Sequence, residues 1–439
     1  MEKTTFEAFL ASLNLFASSL TGTQQYILKC LGVLVVSLFL VRVALKIVVD
    51  ILFIEFDKTR KEASFDRNSP KYDALRRKVF PKPFPNGWYK LCNIEDFKNG
   101  KIRSVSALGE EFVIFRGKDG QVGVLDAFCP HMGANLIDGK VSDGCIECPF
   151  HGWRFDTSGQ CVSIEYSDRK PPTAAKTRAW PSKEWLGSVW IWYDAAGRDP
   201  QWELAPIESI ESRRFKLQRT LRSEFPMHVG EMHENSPDYY HFNKMHGPFP
   251  IKALAWLLGT KHETKMYFYS ERPEDQKYLE CCKNEEYRTA EKKEDRTWWI
   301  SYFDNWAEIE LFPAWLKWSI PNTRNLTTVT FEGPSIVHFQ VYTPLGEIRL
   351  LKTILPQAPF LQYSEDRWYA AKSTPQWLIW IVSTVAKGAL EQDRVVWQNK
   401  IYNQRPILVS GDGPFTRYRK WYNQFYTESS KGYGETSEW

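Results

Sequence analysis

The chain has 439 residues, enough for two or three domains with a sizeable core. A formal charge of +4, from 57 basic and 53 acidic residues, leaves no polybasic footprint for nucleic acid. Eight cysteines in so long a chain do not make the dense framework of a small secreted domain, and those beside histidines point to metal rather than disulfides. Aromatic residues make up 15% of the sequence, which suits a large apolar pocket or a membrane-facing surface as well as a plain aromatic core.

Taken in chain order, residues 1–24 precede a strongly apolar stretch, Tyr26 to Phe56. Its charge-free core, Cys30–Val41, is short for a bilayer span. A helix from about Gln25 to Ile47 crosses a membrane if Lys29 and Arg42 reach the headgroups. We therefore expect a single transmembrane helix within residues 25–56, with a signal peptide or an interfacial helix as the alternatives. Arg42, Lys46, Lys58, Arg60 and Lys61 outweigh Lys29, a bias that would leave the body of the chain in the cytoplasm, the endoplasmic reticulum being the expected membrane. Residues 57–84, charged and interrupted by Pro70, Pro81 and Pro83, read as a linker.

Residues 85–195 show short apolar runs between glycine turns. Phe112–Phe115, Val122–Leu125 and Val189–Trp192 are expected strands, with Lys118-Asp119-Gly120 as a hairpin turn. This predicts a small all-β domain. Residues 196–427 are mixed. Glu231–His246 and Gln376–Lys400 read as helices, and Thr297–Phe303, Thr327–Phe331, Ile336–Tyr342 and Ile348–Ile354 as strands. The fold class is α+β, ending in a polar tail, 428–439, expected to be poorly ordered.

Two short motifs in the β domain carry chemistry: Cys129-Pro130-His131 and Cys148-Pro149-Phe150-His151. Each offers one thiolate and one imidazole. A Rieske [2Fe–2S] cluster needs that split, two Cys on one iron and two His on the other. A zinc site is the alternative, but zinc fingers pair Cys with Cys and His with His. Cys145 and Cys161 fall outside the ligand pattern.

In the second domain, Asp238 and His241 are spaced to share a helical face, whereas His241 and His246 diverge by about 140° on a regular helix. Both histidines reach one metal only if the helix ends or bulges between them, as π-type distortions at functional sites do. Two His and a carboxylate form the facial triad of O2-activating Fe(II). A buried polar network is the bland alternative, and His228 and His233 nearby suit supporting roles.

The segment Cys148-Pro-Phe-His-Gly-Trp-Arg-Phe resembles the second ligand loop of Rieske-type non-haem iron oxygenases, and Asp238-x2-His241-x4-His246 resembles their iron motif. The resemblance covers about Pro85 to Arg405. Within the family, Cys129-Pro-His-Met-Gly-Ala-Asn-Leu, Glu234-Asn-Ser-Pro-Asp and the N-terminal apolar helix resemble the Neverland-type cholesterol 7-desaturases; bacterial ketosteroid hydroxylases share much of the pattern. The disulfide that joins the ligand loops of respiratory Rieske proteins would fall on Ala134 and Phe150, so the oxygenase type is implied.

The resemblance further implies a helix-grip-like catalytic domain with His241 and His246 as ligands of a mononuclear Fe(II). The third ligand lies in Leu390-Glu391-Gln392-Asp393-Arg394, where we take Asp393, with Glu391 as the alternative. Asp238 would link this iron to the cluster of a neighbouring subunit, through its own His241 and the neighbour's counterpart of His151, in a homotrimer. The implied reaction removes hydrogen from C7 and C8 of cholesterol, using O2 and electrons from NAD(P)H. No Gly-x-Gly-x-x-Gly follows a strand, so those electrons come through a separate reductase. The sterol would arrive from membrane lipid; the apolar stretches Trp377–Val382 and Ile251–Leu258 line the pocket, touch the bilayer or, equally, form plain core. A monooxygenase acting on another lipophilic ring and a membrane-bound Rieske electron carrier are the competing readings.

Overall fold

The computed structural model describes residues 21–52, 70–96, 101–247, 256–313, 315–343 and 345–434. A first helix runs Gly22–Leu52. Its charge-free core would rise about 18 Å, against about 30 Å for the hydrocarbon core of a bilayer. Among the described residues no helix is long and apolar enough to cross a membrane. This overturns the expected single-pass span and, with it, the placement of the body in the cytoplasm at the endoplasmic reticulum.

The all-β part forms as expected. Strands Arg103–Ala107, Glu110–Arg116 and Val122–Asp126 make one antiparallel sheet, and Gly87–Asn93, Ser188–Tyr193 and Ser182–Trp185 another. Four short strands between Lys140 and Ser163 carry the second ligand loop. The Lys118–Gly120 turn closes by a bond from Gly120 N–H to the Gly117 carbonyl (3.0 Å), with Gly120 at φ +80°.

The second part is a twisted antiparallel sheet in the spatial order Phe215–Phe225, Leu361–Ala371, Gly346–Ala358, Ile336–Thr343, Asn325–Glu332, Ile300–Leu311, Leu258–Tyr267. One long helix, Gln376–Trp397, lies across it. Near its start Ile379 packs with Ile348, Leu350 and Trp368; at its end Trp397 meets Phe225 edge-on at 5.8 Å. A sheet gripping one long helix is the expected α+β arrangement.

Three expectations need correction. The strand placed at Thr297–Phe303 begins at Ile300, because Lys293–Arg296 forms a helical turn, and it continues to Leu311. Its polar face, Asp304 and Glu308, masks the alternation. The supposed linker contains a helix, Pro70–Val79, with Tyr72 buried and the Arg76 guanidinium 4.0 Å over the Phe360 ring. The tail is held through residue 434: Ser430 is buried, Lys431 pairs with Glu110 at 2.8 Å, and the Tyr433 hydroxyl donates to the Pro81 carbonyl at 2.7 Å.

A buried polar network locks the two parts together. Lys90, on the first strand of the β part, pairs with Glu365 on the central sheet. Asn93 and Arg222 also donate to Glu365, at 3.1 and 3.0 Å. Arg367 donates to the Leu186 carbonyl at 2.6 Å. Burial pushes the Glu365 carboxyl up, but Lys90, Arg222 and Asn93 outweigh it and hold the group below its ordinary value. A depressed carboxylate stabilises the fold above about pH 4.5 and loses that contribution as pH falls through its folded value. Glu365→Gln should therefore lower stability at neutral pH by about 3–5 kcal/mol and flatten the acid limb of a urea-unfolding pH profile. An unchanged acid limb would show that Glu365 does not carry it.

Candidate metal centres

Both Cys/His loops have the same backbone plan. The Cys129 N–H donates to the Ala134 carbonyl (2.9 Å), and the Gly133 N–H donates back to the Cys129 carbonyl (2.9 Å). In the second loop the Cys148 N–H donates to the Trp153 carbonyl (2.8 Å), and the Gly152 N–H to the Cys148 carbonyl (3.1 Å). Each turn closes on a glycine with positive φ, +75° at Gly133 and +69° at Gly152, where a side chain would be strained. This duplication brings the four predicted residues together in two like pairs. Cys129 and Cys148 are buried neighbours. The His131 and His151 rings lie 4.7 Å apart, and His131 stacks on Trp153 at 4.5 Å.

The chemistry of this set suits an iron–sulfur cluster. Burial pushes the Cys129 thiol up to about 11, so ionising it needs a cation alongside. His131 Nδ1 is buried and, among the described residues, has no hydrogen-bond partner. Cys145 is half-buried and Cys161 buried, and the Cys161 Sγ lies 3.5 Å from the Ser163 carbonyl.

The second centre begins where the sequence-predicted helix Glu231–His246 fails to form as one piece. The helix Val229–Glu234 stops, and Pro237, which has no N–H, precedes Asp238, whose backbone (φ −85°, ψ 88°) is not helical. The Asp238 carboxylate then accepts from the His241 N–H (3.2 Å) and restarts the chain as Tyr239–His241. From there Phe242–His246 winds as a π-helix. The wider turn closes the angle that a regular helix would put between His241 and His246, and the expected bulge is present.

Donor atoms of His241, His246 and Asp393 all lie within 4.8 Å of one another. His246 Nε2 is 3.3 Å from Asp393 Oδ1. Glu391, the alternative carboxylate, instead pairs with Arg394 at 3.2 Å. Each group in the cluster is oriented by a partner. His241 Nδ1 donates to the Asp238 backbone carbonyl (2.6 Å), and His246 Nδ1 to Gln392 Oε1 (3.1 Å), so both rings offer Nε2 to the centre. Asn235 Nδ2 donates to Asp393 Oδ2 (2.9 Å), while Trp397 Nε1 donates to Asn235 Oδ1 (3.1 Å). One carboxylate oxygen is thus occupied and the other turned to the histidines. Burial lowers the pKa of His241; for His246 the same effect is outweighed by the hydrogen bond and charge of Asp393, and its pKa rises. Two imidazoles and a carboxylate with tied outer atoms can hold one divalent iron and leave positions open.

His228 and His233 stand outside this cluster. His228 caps the helix Val229–Glu234 through Nδ1 and bonds the Lys82 carbonyl through Nε2 (3.1 Å). His233 is fully buried against Phe331 and Tyr422. The cluster opens on a cavity of about 260 Å³, walled largely by apolar side chains such as Met232, Phe303, Val337, Leu350 and Trp368. Val382 of the expected stretch Trp377–Val382 reaches it, whereas 251–255 of the other stretch lie outside the described residues.

Residues 87–181 match the Rieske [2Fe-2S] domain, and residues 191–301 and 369–426 match the 3-ketosteroid 9alpha-hydroxylase C-terminal domain. The chain is 33% identical to cholesterol 7-desaturase nvd 1 of Ciona intestinalis over 81% of its length and 72% of that protein's. It is 33% identical to cholesterol 7-desaturase nvd of Drosophila melanogaster, over 81% and 78%. The chain belongs to the cholesterol 7-desaturase family of Rieske oxygenases. It is also 30% identical to a probable 3-ketosteroid-9-alpha-monooxygenase oxygenase component of Rhodococcus rhodochrous, over 79% of this chain and 81% of that one. Among solved structures, dicamba monooxygenase bound to dicamba shares the fold at a TM-score of 0.55 and 17% identity, over 79% of this chain and 98% of that chain.

Asn235, Gln392 and Trp397 were not singled out from the family pattern, although each had a signal. Gln392 adjoins Asp393, Trp397 follows it by one helical turn, and Asn235 opens the segment that Asp238 restarts. Asp393→Ala should leave the visible absorption of the cluster intact while iron falls from about three to about two atoms per chain. Elemental analysis checks this, and undiminished iron would remove Asp393 from the ligand set.

Proposed function

We propose that the protein is a sterol 7-desaturase that withdraws hydrogen from C7 and C8 of cholesterol to give 7-dehydrocholesterol. The observation that carries this reading is the His241/His246/Asp393 cluster opening on an apolar cavity, in a chain that also holds the Cys129/His131/Cys148/His151 set. When bound, the mononuclear iron supplies reduction of O2 and the [2Fe–2S] cluster supplies single electrons. The sterol gives up two hydrogens, NAD(P)H gives two electrons through a separate reductase, and with two protons O2 leaves as water.

The rest is the work of the chain. Asn235 and Trp397 keep one oxygen of Asp393 occupied, so the carboxylate presents a single oxygen. The Asp238 carbonyl and Gln392 fix the histidine tautomers. The apolar wall excludes water from the reacting C–H bonds and positions the rings. A cluster without such a cavity would serve a mere electron carrier.

We assign Asp238 to the passage of electrons between subunits of a homotrimer. Supporting this, Phe128, Met132 and Phe150 leave an exposed apolar rim around His131 and His151. Asp238 and Tyr240 are likewise uncovered beside His241. Each face would cover the other across a subunit boundary.

The match to a ketosteroid hydroxylase domain favours one second reading, hydroxylation of a steroid. Incubation with reductase, NAD(P)H and cholesterol, followed by mass spectrometry, should give a product two mass units lighter; a product sixteen units heavier alone would establish hydroxylation. Asp238→Ala should retain both metals and the cluster's spectrum yet lose turnover by about 100-fold or more, with the reduced cluster no longer reoxidised by O2 in the presence of sterol. Full turnover in that variant would sink the assignment.

A further inference from the structure

We infer that the buried Lys352–Asp366 pair is the subsite that receives the sterol's 3-hydroxyl group. This rests on the sterol reading above and adds to it the group that sets the substrate's direction. Lys352 and Asp366 stand opposite each other on neighbouring strands, Gly346–Ala358 and Leu361–Ala371. The ammonium donates to the carboxylate, and both side chains are almost wholly out of water. Both line the same cavity as His241, His246 and Asp393.

Two features mark the pair as more than a structural cross-brace. The wall around it is apolar, with Val337, Leu350, Trp368 and Ala386 as lining residues. A buried ion pair gains little or no stability over apolar residues of the same volume, so stability alone gives no reason for charge here. The pair is also incompletely satisfied. An ammonium has three donors, and among the described residues that of Lys352 has Asp366 as its hydrogen-bond partner. Asp366 receives through Oδ1, which leaves Oδ2.

An alcohol completes this arrangement in a way that few groups do. Its oxygen accepts from Lys352 while its proton goes to Asp366. A ketone only accepts, and a hydrocarbon does neither. Asn305 and Thr327, paired on neighbouring strands, are polar residues on the far side of the cavity; by register Asn305 lies three strands over from Lys352 and four residues further along the sheet. Asn305 is neutral, and its Oδ1 already takes a hydrogen bond from His262 Nδ1 (3.1 Å). Outside the His241/His246/Asp393 cluster, the charged groups lining the cavity are therefore Lys352 and Asp366. A sterol anchored there by ring A runs its hydrocarbon tail away along the apolar wall, and the rigid ring system then fixes which carbon lies beside the metal centre.

The test uses the iron-loaded protein and needs no variant for its first arm. Equilibrium binding, read by tryptophan quenching, should be about 10–100-fold tighter for cholesterol than for cholest-5-ene, which lacks the hydroxyl. Cholest-4-en-3-one, which cannot donate to Asp366, should fall about tenfold below cholesterol. In the double variant Lys352→Met/Asp366→Leu, which leaves no unpaired buried charge, the three ligands should bind within about threefold of one another. Equal binding of cholesterol and cholest-5-ene by the unaltered protein overturns the inference, as does discrimination that survives the double variant. If cholesterol is converted but the hydroxyl is not sensed, only this inference fails. If no sterol is bound or converted, the functional reading fails with it.

Discussion

Asp393 meets the two histidines because the helix Gln376–Trp397 is laid along the sheet with its last turns beside the π-helical segment Phe242–His246. Asp393 and His246 are more than 140 residues apart in sequence, and one hydrogen-bonded chain holds helix and segment in register: Trp397 to Asn235 to Asp393. Asn235 sits at the end of the helix before the break, so the same residue joins the carboxylate to the segment that carries the imidazoles. Loss of this chain would leave a buried carboxylate turned by chance. With it, the donor atoms are set before any metal arrives, which is what tight, selective coordination needs.

The sheet supplies the rigidity behind that chain. Its strands are long and antiparallel, and one face grips the helix through Ile379, Leu350 and Trp368. Behind the histidine segment, Lys400 bonds Glu231 and Glu234 at 2.8 and 3.1 Å, and Arg419 also binds Glu234. Burial alone would lower the Lys400 pKa, but the two glutamates outweigh it and keep the lysine charged. Four charged groups closed on one another beside the histidine segment brace it.

Much of the chemistry was legible in the sequence because metal ligation is local. Cys-x-His and Cys-x2-His fit within single turns, and the spacing of His241 and His246 itself demanded the bulge that the backbone shows. Residues that depend on strand pairing were not legible in that way. Lys352 and Asp366 become neighbours only through the register of two strands, and nothing local marks either as facing a cavity. The break at Pro237 is written in the sequence, since a proline inside a helical stretch removes an N–H donor. The first helix erred in the opposite sense: apolar residues resume beyond Arg42, but an apolar tally along the chain does not make an uninterrupted span. The tail looked free because its anchors, Tyr433 on Pro81 and Lys431 on Glu110, are more than 300 residues away.

One strand shows how the two halves of the molecule are made to depend on each other. Along Leu361–Ala371 successive side chains point to opposite faces. Glu365 and Arg367 turn outward to the β part, where they hold Lys90, Asn93 and the Leu186 carbonyl. Asp366 and Trp368 turn inward and line the cavity. The residues that fix the electron-carrying part against the sheet therefore alternate, one by one, with residues that shape the substrate's chamber. A slip of a single residue in this strand would exchange the two sets, putting Asp366 among the interdomain cations and Glu365 into the apolar wall. Register here is thus held from both faces at once, by ion pairs on one and packing on the other. The position of the chamber relative to the cluster-bearing part is a consequence of that one alternation.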